Sequence, residues 1–386
     1  MSDDSRASER IQSGQSWNEF CDNLKHAGNV VLGGPTCPLT RAEGFRYLSR
    51  LVRAGLEVFV ENDDVLTPKL MRVVHETVKM GADNPDNFYQ NCCISGRYAY
   101  RISGQRNTVH YLGLATQIGH YGQGRGMPPT GHLDSNELVL EPDGSFEITV
   151  SCERPAGAKN WLPMTPESGT LIVRQSRLDP KSETLASITI ERVGEPIPRQ
   201  PLSAATVDAG LTSAGTLVAG ATMIFAGWAQ GFTQHENLLP RFDQALSNSF
   251  GGVPDIAYYH SYWRLKDDES LVIDAMPPPC DHWNFQLNNH WMESLDYRFH
   301  HIHVNSKTGA LRPDGGVRIV VAHDDPGMPN WIETVEHRLG TMCFRWVKPV
   351  NLDSAPVPHC RVVKRDQVKD LPFAPTPNDD QKGTGA

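Results

Sequence analysis

Short segments of alternating or β-branched residues recur about every ten residues from residue 84 onward, and this spacing limits the fold more than any other feature. Turn residues such as Gly104 and Gly144 separate them. The predicted strands lie at residues 95–102, 107–113, 132–140, 145–151, 169–174, 187–191, 258–265, 270–275, 297–305, 317–322 and 341–347. Parallel βαβ winding needs a helix between successive strands, and such helices are missing. The pattern therefore predicts an antiparallel β-sandwich or jelly roll.

Helical periodicity replaces the strand pattern in two regions, so the predicted fold class is α+β. Apolar residues recur at helical spacing in residues 17–24 and 45–52, and again in residues 70–78. Residues 201–249 are rich in Ala, Leu and Phe and are predicted to be helical as well, although their glycines weaken a helix.

The 386 residues exceed one typical core, so about two domains are expected. The predicted parts are a helical N-terminal segment at 1–83, a first β-rich region at 84–200, a helical insertion at 201–252, a C-terminal β-sandwich region at 253–350 and a proline-rich tail at 351–386.

Charge and composition exclude several classes of function. A net charge of -9 without a cluster of Lys and Arg argues against a nucleic-acid partner. The first residues lack the apolar core of a signal peptide, and glycines interrupt the apolar run at residues 210–231, so no membrane association is expected. The eight cysteines form no CxxC pair, which indicates reduced thiols in a cytoplasmic protein. Assembly into a homo-oligomer stays open.

Residues 277–305 are predicted to form the wall of a polar-aromatic pocket. This stretch holds five His, two Trp, two Phe and one Tyr among carboxylates and amides, more polar groups than a core requires. In an extended strand, His301 and His303 would share one face.

Acid–base chemistry without a cofactor is the first hypothesis for this pocket. We expect the reacting groups to be His282, Asp296, Tyr297, His301 and His303. Burial against aromatic rings would raise a carboxyl pKa or lower an imidazole pKa toward neutrality, as a general acid or base requires. The competing interpretation is an ion pair between Asp296 and Arg298, with the tryptophans in the core.

The substrate is expected to contact side chains from several strands. The predicted binding residues are Tyr98, Arg101, His110, Trp283, Asn289, Arg298, Asn330 and Arg345. Arg298 and Arg345 would position the substrate, because a guanidinium offers several donors in a fixed plane.

A divalent metal is the alternative to a cofactor-free site. His132 and Asp134 have the HxD spacing that lets two side chains of one strand face reach the same ion, with Glu137 nearby. His301 or His303 would supply a third ligand. Nucleophilic hydrolysis is disfavoured, because no G-x-S-x-G elbow is present.

Several long blocks resemble a known bacterial family. They are WRLKDDESLVIDAMPPPCDHWNFQLNNHWMESLDYR at 263–298, DGGVRIVVAHDDPGMPNWIET at 314–334 and GTMCFRWV at 340–347, with looser matches at NPDNFYQ, YRISGQRNTVHYL, DGSFEITVS, NWLP and LIVRQ. The chain is similar over these blocks to the domain of unknown function twelve-fourteen, which often accompanies a companion domain, twelve-fifty-four. The resemblance implies a β-sandwich of jelly-roll character and supplies no reaction.

The expected function is an enzyme that acts on a small hydrophobic or aromatic oxygenated molecule by acid–base chemistry of the lyase, isomerase or hydratase kind. Aromatic walls would supply apolar contact and a few polar groups the orientation. The alternatives are a non-catalytic module that binds a small molecule or carbohydrate, a metal-dependent enzyme that uses the His/Asp site, and a structural subunit of an assembly.

Overall fold

The computed structural model describes residues 3–123, 126–198 and 200–376. The helices are α1 (Asp3–Gln12), α2 (Gln15–Gly33), α3 (Pro38–Leu56), α4 (Ala204–Phe232) and α5 (Gln244–Ser249), and α3 continues as the π-helical turn Glu57–Glu61. The helix predicted at residues 70–78 does not form, because Met71 pairs with Asn91 of the first strand and draws the segment into an extended path.

The first sandwich contains strands β1 to β8. They are β1 (Asn87–Cys93), β2 (Tyr100–Gln105), β3 (Tyr111–Ile118), β4 (Pro129–Asp134), β5 (Ser145–Ser151), β6 (Trp161–Pro163), β7 (Ser168–Ser176) and β8 (Ser187–Arg192). One sheet has the order β1-β7-β3-β4 and the other β6-β5-β2-β8. Alternation along each strand buries side chains such as Ile102, Ile148 and Val173 between the sheets.

The second sandwich contains strands β9 to β16. They are β9 (Ile256–Arg264), β10 (Glu269–Ala275), β11 (His282–Leu287), β12 (His303–Asn305), β13 (Val317–Ala322), β14 (Trp331–Glu333), β15 (Leu339–Val347) and β16 (His359–Lys364). The sheets have the orders β12-β11-β15-β9 and β14-β13-β10-β16, around a core that includes Trp263, Phe285 and Phe344. The α+β class with an antiparallel sandwich is confirmed, but it comprises two sandwiches.

The two sandwiches share one topology, strand for strand. β1 to β8 pair with each other as β9 to β16 do, and the only parallel pairs among these named strands, β5 with β6 and β13 with β14, occupy equivalent positions. The sequence repeats accordingly: EPDGSFEITVS at 141–151 corresponds to RPDGGVRIVVA at 312–322, and TLIVR at 170–174 corresponds to TMCFR at 341–345. The fold is therefore a tandem repeat of one eight-stranded unit.

Helix α4 lies between the repeats in the chain and packs against α2 and α3. It runs unbroken through its glycines, which permit close contacts: a Cβ on Gly210 would lie 2.4 Å from the carbonyl oxygen of Phe59, and one on Gly220 would lie 2.2 Å from the Cα of Gly122. The helix predicted within residues 201–249 is confirmed, and its glycines do not break it. The segment Ala204–His235 is long and apolar enough to cross a membrane, and 61% of its most apolar window is buried inside the protein, as in a core helix.

The predicted proline-rich tail contributes an ordered strand. β16 pairs with β10 at the edge of the second sandwich, and residues 377–386 lie outside the described part of the chain. Asp274 of β10 binds Arg318 at 2.7 Å and also accepts a hydrogen bond from Arg361 of β16, so a buried carboxylate holds the strand in place. The second sandwich therefore extends past residue 350.

Candidate functional site

A large cavity lies between the two sandwiches. Its empty volume is about 1680 Å³, part of which is open to solvent. The sheet of β1, β7 and β3 forms one wall and the sheet of β9, β15 and β11 the other, while α4, α5 and residues 71–84 close the sides. Successive side chains of a strand point to opposite faces of its sheet, so each of these strands contributes to a sandwich core and to the cavity. Val173 and Phe344 point into the sandwich cores, whereas Arg174 and Arg345 point to the cavity.

The walls are largely apolar and aromatic. The aromatic lining residues are Phe59, Tyr89, Tyr111, Tyr121, Phe225, Trp228, Phe250 and Tyr258. Methionines 71, 80 and 127 and several aliphatic side chains fill the gaps between them. Burial raises the pKa of Tyr121 to about 12, so this phenol stays neutral and offers only hydrogen bonds.

Arg345 places a buried positive charge on the cavity wall. The residue is 5% exposed, and its guanidinium donates to Gln286 Oε1 at 2.6 Å, Asn284 Oδ1 at 3.2 Å and the carbonyl oxygen of Ala82 at 2.7 Å. All of these acceptors are neutral, and no ion pair involves Arg345 within the described ranges. Asp86 is nearby, but its carboxylate is held by Asn284 and Asn305.

Arg174 occupies the equivalent position in the first repeat. Arg174 pairs with Tyr89 and Arg345 with Tyr258, so each repeat contributes one arginine and one tyrosine to the same cavity. Arg174 is half-buried and donates to the carbonyl oxygen of Gly251 at 2.7 Å, again a neutral acceptor. The cavity therefore contains two guanidinium groups that no described carboxylate binds.

One carboxylate joins two imidazoles at the end of the cavity. Asp281 Oδ2 lies 2.8 Å from His282 Nδ1 and 3.0 Å from His110 Nε2. The hydrogen bonds from His110 and His282 hold the pKa of Asp281 well below its ordinary value. His282 is buried and lines the cavity, so this predicted catalytic residue lies at a pocket.

Polar side chains on one face of β11 in the second sandwich form hydrogen bonds with the segment before β1. Asn284 Nδ2 donates to Asn84 Oδ1 and to Asp86 Oδ2, each at 2.9 Å, and Gln286 Nε2 donates to the carbonyl oxygen of Asp83 at 2.8 Å. Trp283 and Phe285 on the opposite face belong to the core. This face of β11 is buried by tertiary contacts, which fix the residues around Arg345.

The other predicted catalytic residues do not line the cavity. Asp296 forms an exposed ion pair with Arg298 at 2.6 Å, which was the competing interpretation, and Tyr297 packs beside Lys79, whose Nζ lies 4.5 Å from the ring centroid. His301 is exposed, and His303 Nε2 lies 3.4 Å from Asp86 Oδ1. A strand forms only from His303 onward, because residues 297–300 make a turn. The structure does not bring the set together, and the catalytic roles stay predictions.

Most of the predicted binding residues also lie outside the cavity. Trp283 is in the core, and Asn289 Oδ1 accepts the backbone N–H groups of Trp291 and Glu293. Exposed Arg101 binds Glu191 on the outer sheet of the first sandwich. Tyr98 packs against the core of the same sandwich, and Asn330 forms hydrogen bonds with the backbone of Ala310. Arg298 forms an ion pair with Asp296. His110 is connected to the site by its contact with Asp281. Arg345 is the predicted binding residue that lines the cavity.

Two groups of side chains could hold a metal ion within the described ranges. His132, Asp134 and Glu137 bring their ligand atoms within 4.8 Å of one another, as the HxD spacing predicts. Lys348 binds Asp134, however, and its ammonium opposes a cation there. His301 and His303 are not part of the group. The second group is His110, Asp281 and His282.

Several lining residues were absent from the sequence prediction. Arg174, Tyr89 and Tyr258 follow from the tandem repeat, since TLIVR and TMCFR align Arg174 with Arg345. Gln117, His120 and His260 have no such signal, because their position depends on how the sandwiches pack.

Comparison with known proteins finds a matching family model and several similar solved structures. The family model described as "Protein of unknown function (DUF1214)" matches residues 124–178 and 266–351, which include parts of both repeats. The crystal structure of an uncharacterised protein from Burkholderia cenocepacia is 47% identical, with a TM-score of 0.90 over 93% of this chain and 99% of that chain. The VPA0106 protein from Vibrio parahaemolyticus is 11% identical, with a TM-score of 0.51 over 89% of this chain and 100% of that chain, which is a likeness of fold. No curated protein matches the chain.

Proposed function

The chain belongs to the DUF1214 family of proteins of unknown function, and we propose from its own cavity that it is an enzyme acting on a small organic acid with an apolar or aromatic body. The reaction is acid–base chemistry of the lyase, isomerase or hydratase kind. His282 transfers the proton, and the arginines bind the acid group.

The observation that carries this proposal is the pair of cavity arginines without carboxylate partners. Burying an ion without a counter-ion costs on the order of several kcal/mol, and neutral acceptors offset only part of that cost. An anion bound between Arg345 and Arg174 would supply the missing charge and could accept two parallel hydrogen bonds from either guanidinium. The acid group of the ligand is therefore expected at these two side chains.

The remaining walls define the body of the ligand. Tyrosine, phenylalanine and methionine side chains give a broad apolar contact with few polar groups, the usual composition of a small-molecule site. Methionine adapts to irregular shapes, so the cavity can accept either an aromatic ring or an aliphatic chain.

His282 is suited to proton transfer because Asp281 orients it. When Nδ1–H donates to the carboxylate, the neutral ring keeps a bare Nε2, the nitrogen that can take a proton. His282 and Arg345 lie on neighbouring strands, diagonally placed on one face, since His282 pairs with Val347 and Asn284 pairs with Arg345. Such diagonal neighbours are about 7–8 Å apart between Cα atoms, a separation that one small substrate can span.

Ligand binding is tested first. Native mass spectrometry of the purified protein should detect a bound acid, and isothermal titration with aromatic and aliphatic acids should show affinity that the corresponding amides lack. R345Q and R174Q should each weaken binding at least about tenfold. R101Q is the matched control, because Arg101 is exposed and binds Glu191. Equal affinity for acids and amides would overturn the proposal.

An enzyme and a non-catalytic binding module differ in the response to H282Q. In the enzyme, H282Q removes turnover of the identified ligand and leaves its affinity within about threefold. In a binding module no turnover exists, and only the affinity changes. H301Q is the control, because His301 lies outside the cavity.

A metal-dependent reaction is the second candidate function. The cluster of His110, Asp281 and His282 at the cavity end is a better candidate metal site than the HxD group. Asp281 between two imidazoles is a two-histidine, one-carboxylate set, which suits divalent iron and similar ions. Metal analysis of purified protein, with D281N as the variant that removes the carboxylate, separates the candidates. If the wild type contained one metal ion per chain and D281N contained none, the metal-dependent reaction would be favoured over acid–base catalysis by His282.

A further inference from the structure

Three buried polar atoms on the cavity wall have no hydrogen-bond partner among the residues that the structure describes. They are Gln117 Oε1, His120 Nε2 and His260 Nδ1. A buried polar atom without a partner has lost its hydrogen bonds to water and gained none, so such atoms at a cavity indicate where a bound molecule forms hydrogen bonds. The chemical kind of that molecule depends on whether each atom donates or accepts.

His120 presents an acceptor. Its Nδ1 lies 2.8 Å from the carbonyl oxygen of Tyr121, and a carbonyl oxygen can only accept, so Nδ1 carries the proton. Burial lowers the pKa of His120, so the ring stays neutral and Nε2 has no proton. The ring packs against Phe59, with the centroids 4.6 Å apart, which fixes its orientation.

His260 presents an acceptor in the same way. Burial lowers its pKa to about 3, so the ring is neutral at any ordinary pH. Its Nε2 lies 3.8 Å from Cys343 Sγ, and that thiol donates to the carbonyl oxygen of Phe344. The sulfur is then left to accept a hydrogen bond from Nε2–H, which leaves Nδ1 without a proton. Phe232 and Phe242 pack against the ring with centroids 5.5 Å and 5.1 Å away, so it cannot turn freely.

Gln117 adds a third acceptor beside an arginine. Its Nε2 donates to the carbonyl oxygen of Met127 at 3.3 Å, so the unpaired atom is the amide oxygen. A Cβ on Gly251 would lie 3.0 Å from that Nε2, and the carbonyl oxygen of Gly251 accepts from Arg174. The amide therefore lies in the neighbourhood of the proposed acid-binding group.

We propose that the ligand of this cavity is a hydroxylated organic acid, whose hydroxyl groups donate hydrogen bonds to Gln117 Oε1, His120 Nε2 and His260 Nδ1 while its acid group binds Arg345 and Arg174. The proposal rests on the proposed function and narrows its substrate class. An amino group could also donate, but its positive charge would oppose the two guanidinium groups. A hydroxyl is neutral and meets the same need.

The discriminating property of a hydroxyl is its proton, so each hydroxylated probe is compared with two relatives that lack that proton. The first set is phenylpropanoate, its ring-hydroxylated isomers and the matching methoxy compounds. The second set is decanoate, ω-hydroxydecanoate and ω-methoxydecanoate. A methoxy group keeps the oxygen and adds bulk but cannot donate, so preference for the hydroxyl over both relatives measures donation.

Isothermal titration should show that at least one hydroxylated acid binds about tenfold or more tightly than its hydrogen and methoxy relatives. H260F, H120F and Q117L should reduce that preference, at least one of them to less than about twofold, while affinity for the unsubstituted acid is retained. Phe suits position 260, which already lies among aromatic rings, and near-UV circular dichroism checks that each variant folds.

The outcomes separate this inference from the proposed function. If no acid binds in either set, both fail. If acids bind through Arg345 but hydroxylation makes no difference, water satisfies the three acceptors and only the hydroxyl inference fails. A preference that survives in all three variants also overturns it.

Discussion

His110 and Asp281 occupy equivalent positions in the two repeats and bind each other across the cavity end, with His110 Nε2 3.0 Å from Asp281 Oδ2. The equivalence follows from strand register, since Tyr111 pairs with Ser176 as His282 pairs with Val347. Contact between equivalent residues indicates that the repeats face each other in a twofold-like arrangement. Arg174 and Arg345 therefore come from opposite walls to one cavity.

Trp291 of the second sandwich packs against the N-terminal helical segment. This contact predicts that alanine substitutions at two glycines have opposite effects on the free energy of unfolding. A Cβ on Gly44 of α3 would lie 2.8 Å from the Trp291 ring and 2.6 Å from Val31 Cγ1, whereas one on Gly28 of α2 would meet nothing within 4 Å. G44A should lower the free energy of unfolding by about 1–3 kcal/mol, because the buried indole cannot move aside.

G28A is the matched control and should raise the free energy of unfolding by about 0.5–1 kcal/mol, because alanine restricts the unfolded helix region and fits open space. Urea denaturation of both variants measures the difference. If G44A stabilised the protein as G28A does, Trp291 would not be tightly packed between α2 and α3.

The contact between His337 and Glu43 predicts a pH-dependent stability. His337 Nε2 lies 3.0 Å from Glu43 Oε1, and Nδ1 lies 2.6 Å from the carbonyl oxygen of Val335, so both nitrogens face acceptors. Burial by itself would lower the pKa of His337, but the hydrogen bond and charge of Glu43 outweigh burial and raise the pKa above its ordinary value. Arg46, which also binds Glu43, and Cys37 lie in the same neighbourhood.

A raised pKa in the folded state means that the stabilisation is complete below the ordinary histidine pKa and is lost as pH rises through the folded value. The free energy of unfolding of the wild type minus that of H337Q should therefore decrease as pH is raised from about 6 through the alkaline range. Exposed His26 gives the control variant H26Q. A difference that stays constant over this range would show that His337 is neutral in the folded protein.

Much of the fold follows from local pattern, and much of the site does not. The alternating segments predicted β5, β10 and β13 nearly to the residue, since period two and turn residues determine such strands. β1 was missed because NPDNFYQ carries turn residues, and only pairing with β7 makes its second half a strand. Residues 70–78 show that apolar spacing alone cannot separate a helix from an extended segment that lines a cavity.

The histidine-rich stretch illustrates the same division. The sequence identified a polar-aromatic wall, and His282 lies there, but His301 and His303 belong to a turn and an edge strand whose surroundings depend on tertiary packing. The tandem repeat was readable from the sequence. Aligning TLIVR with TMCFR would have paired Arg174 with Arg345 before any coordinates.

In the proposed reaction Asp281 acts through His282, and D281N tests that positioning role. An asparagine amide can donate to Nδ1 and so favour the tautomer that carries its proton on Nε2, which removes the base. With the ligand identified by mass spectrometry, D281N should reduce kcat at least about 100-fold and change KM less than about threefold.

D296N is the matched control, because Asp296 was predicted to be catalytic from the sequence but forms an exposed ion pair with Arg298. It should leave kcat within about twofold of the wild type. A purely structural role for Asp281 would instead change thermal stability and KM together and leave kcat nearly intact. A loss of kcat in D296N equal to that in D281N would move the reacting group away from the cavity end, toward the exposed turn at residues 296–300.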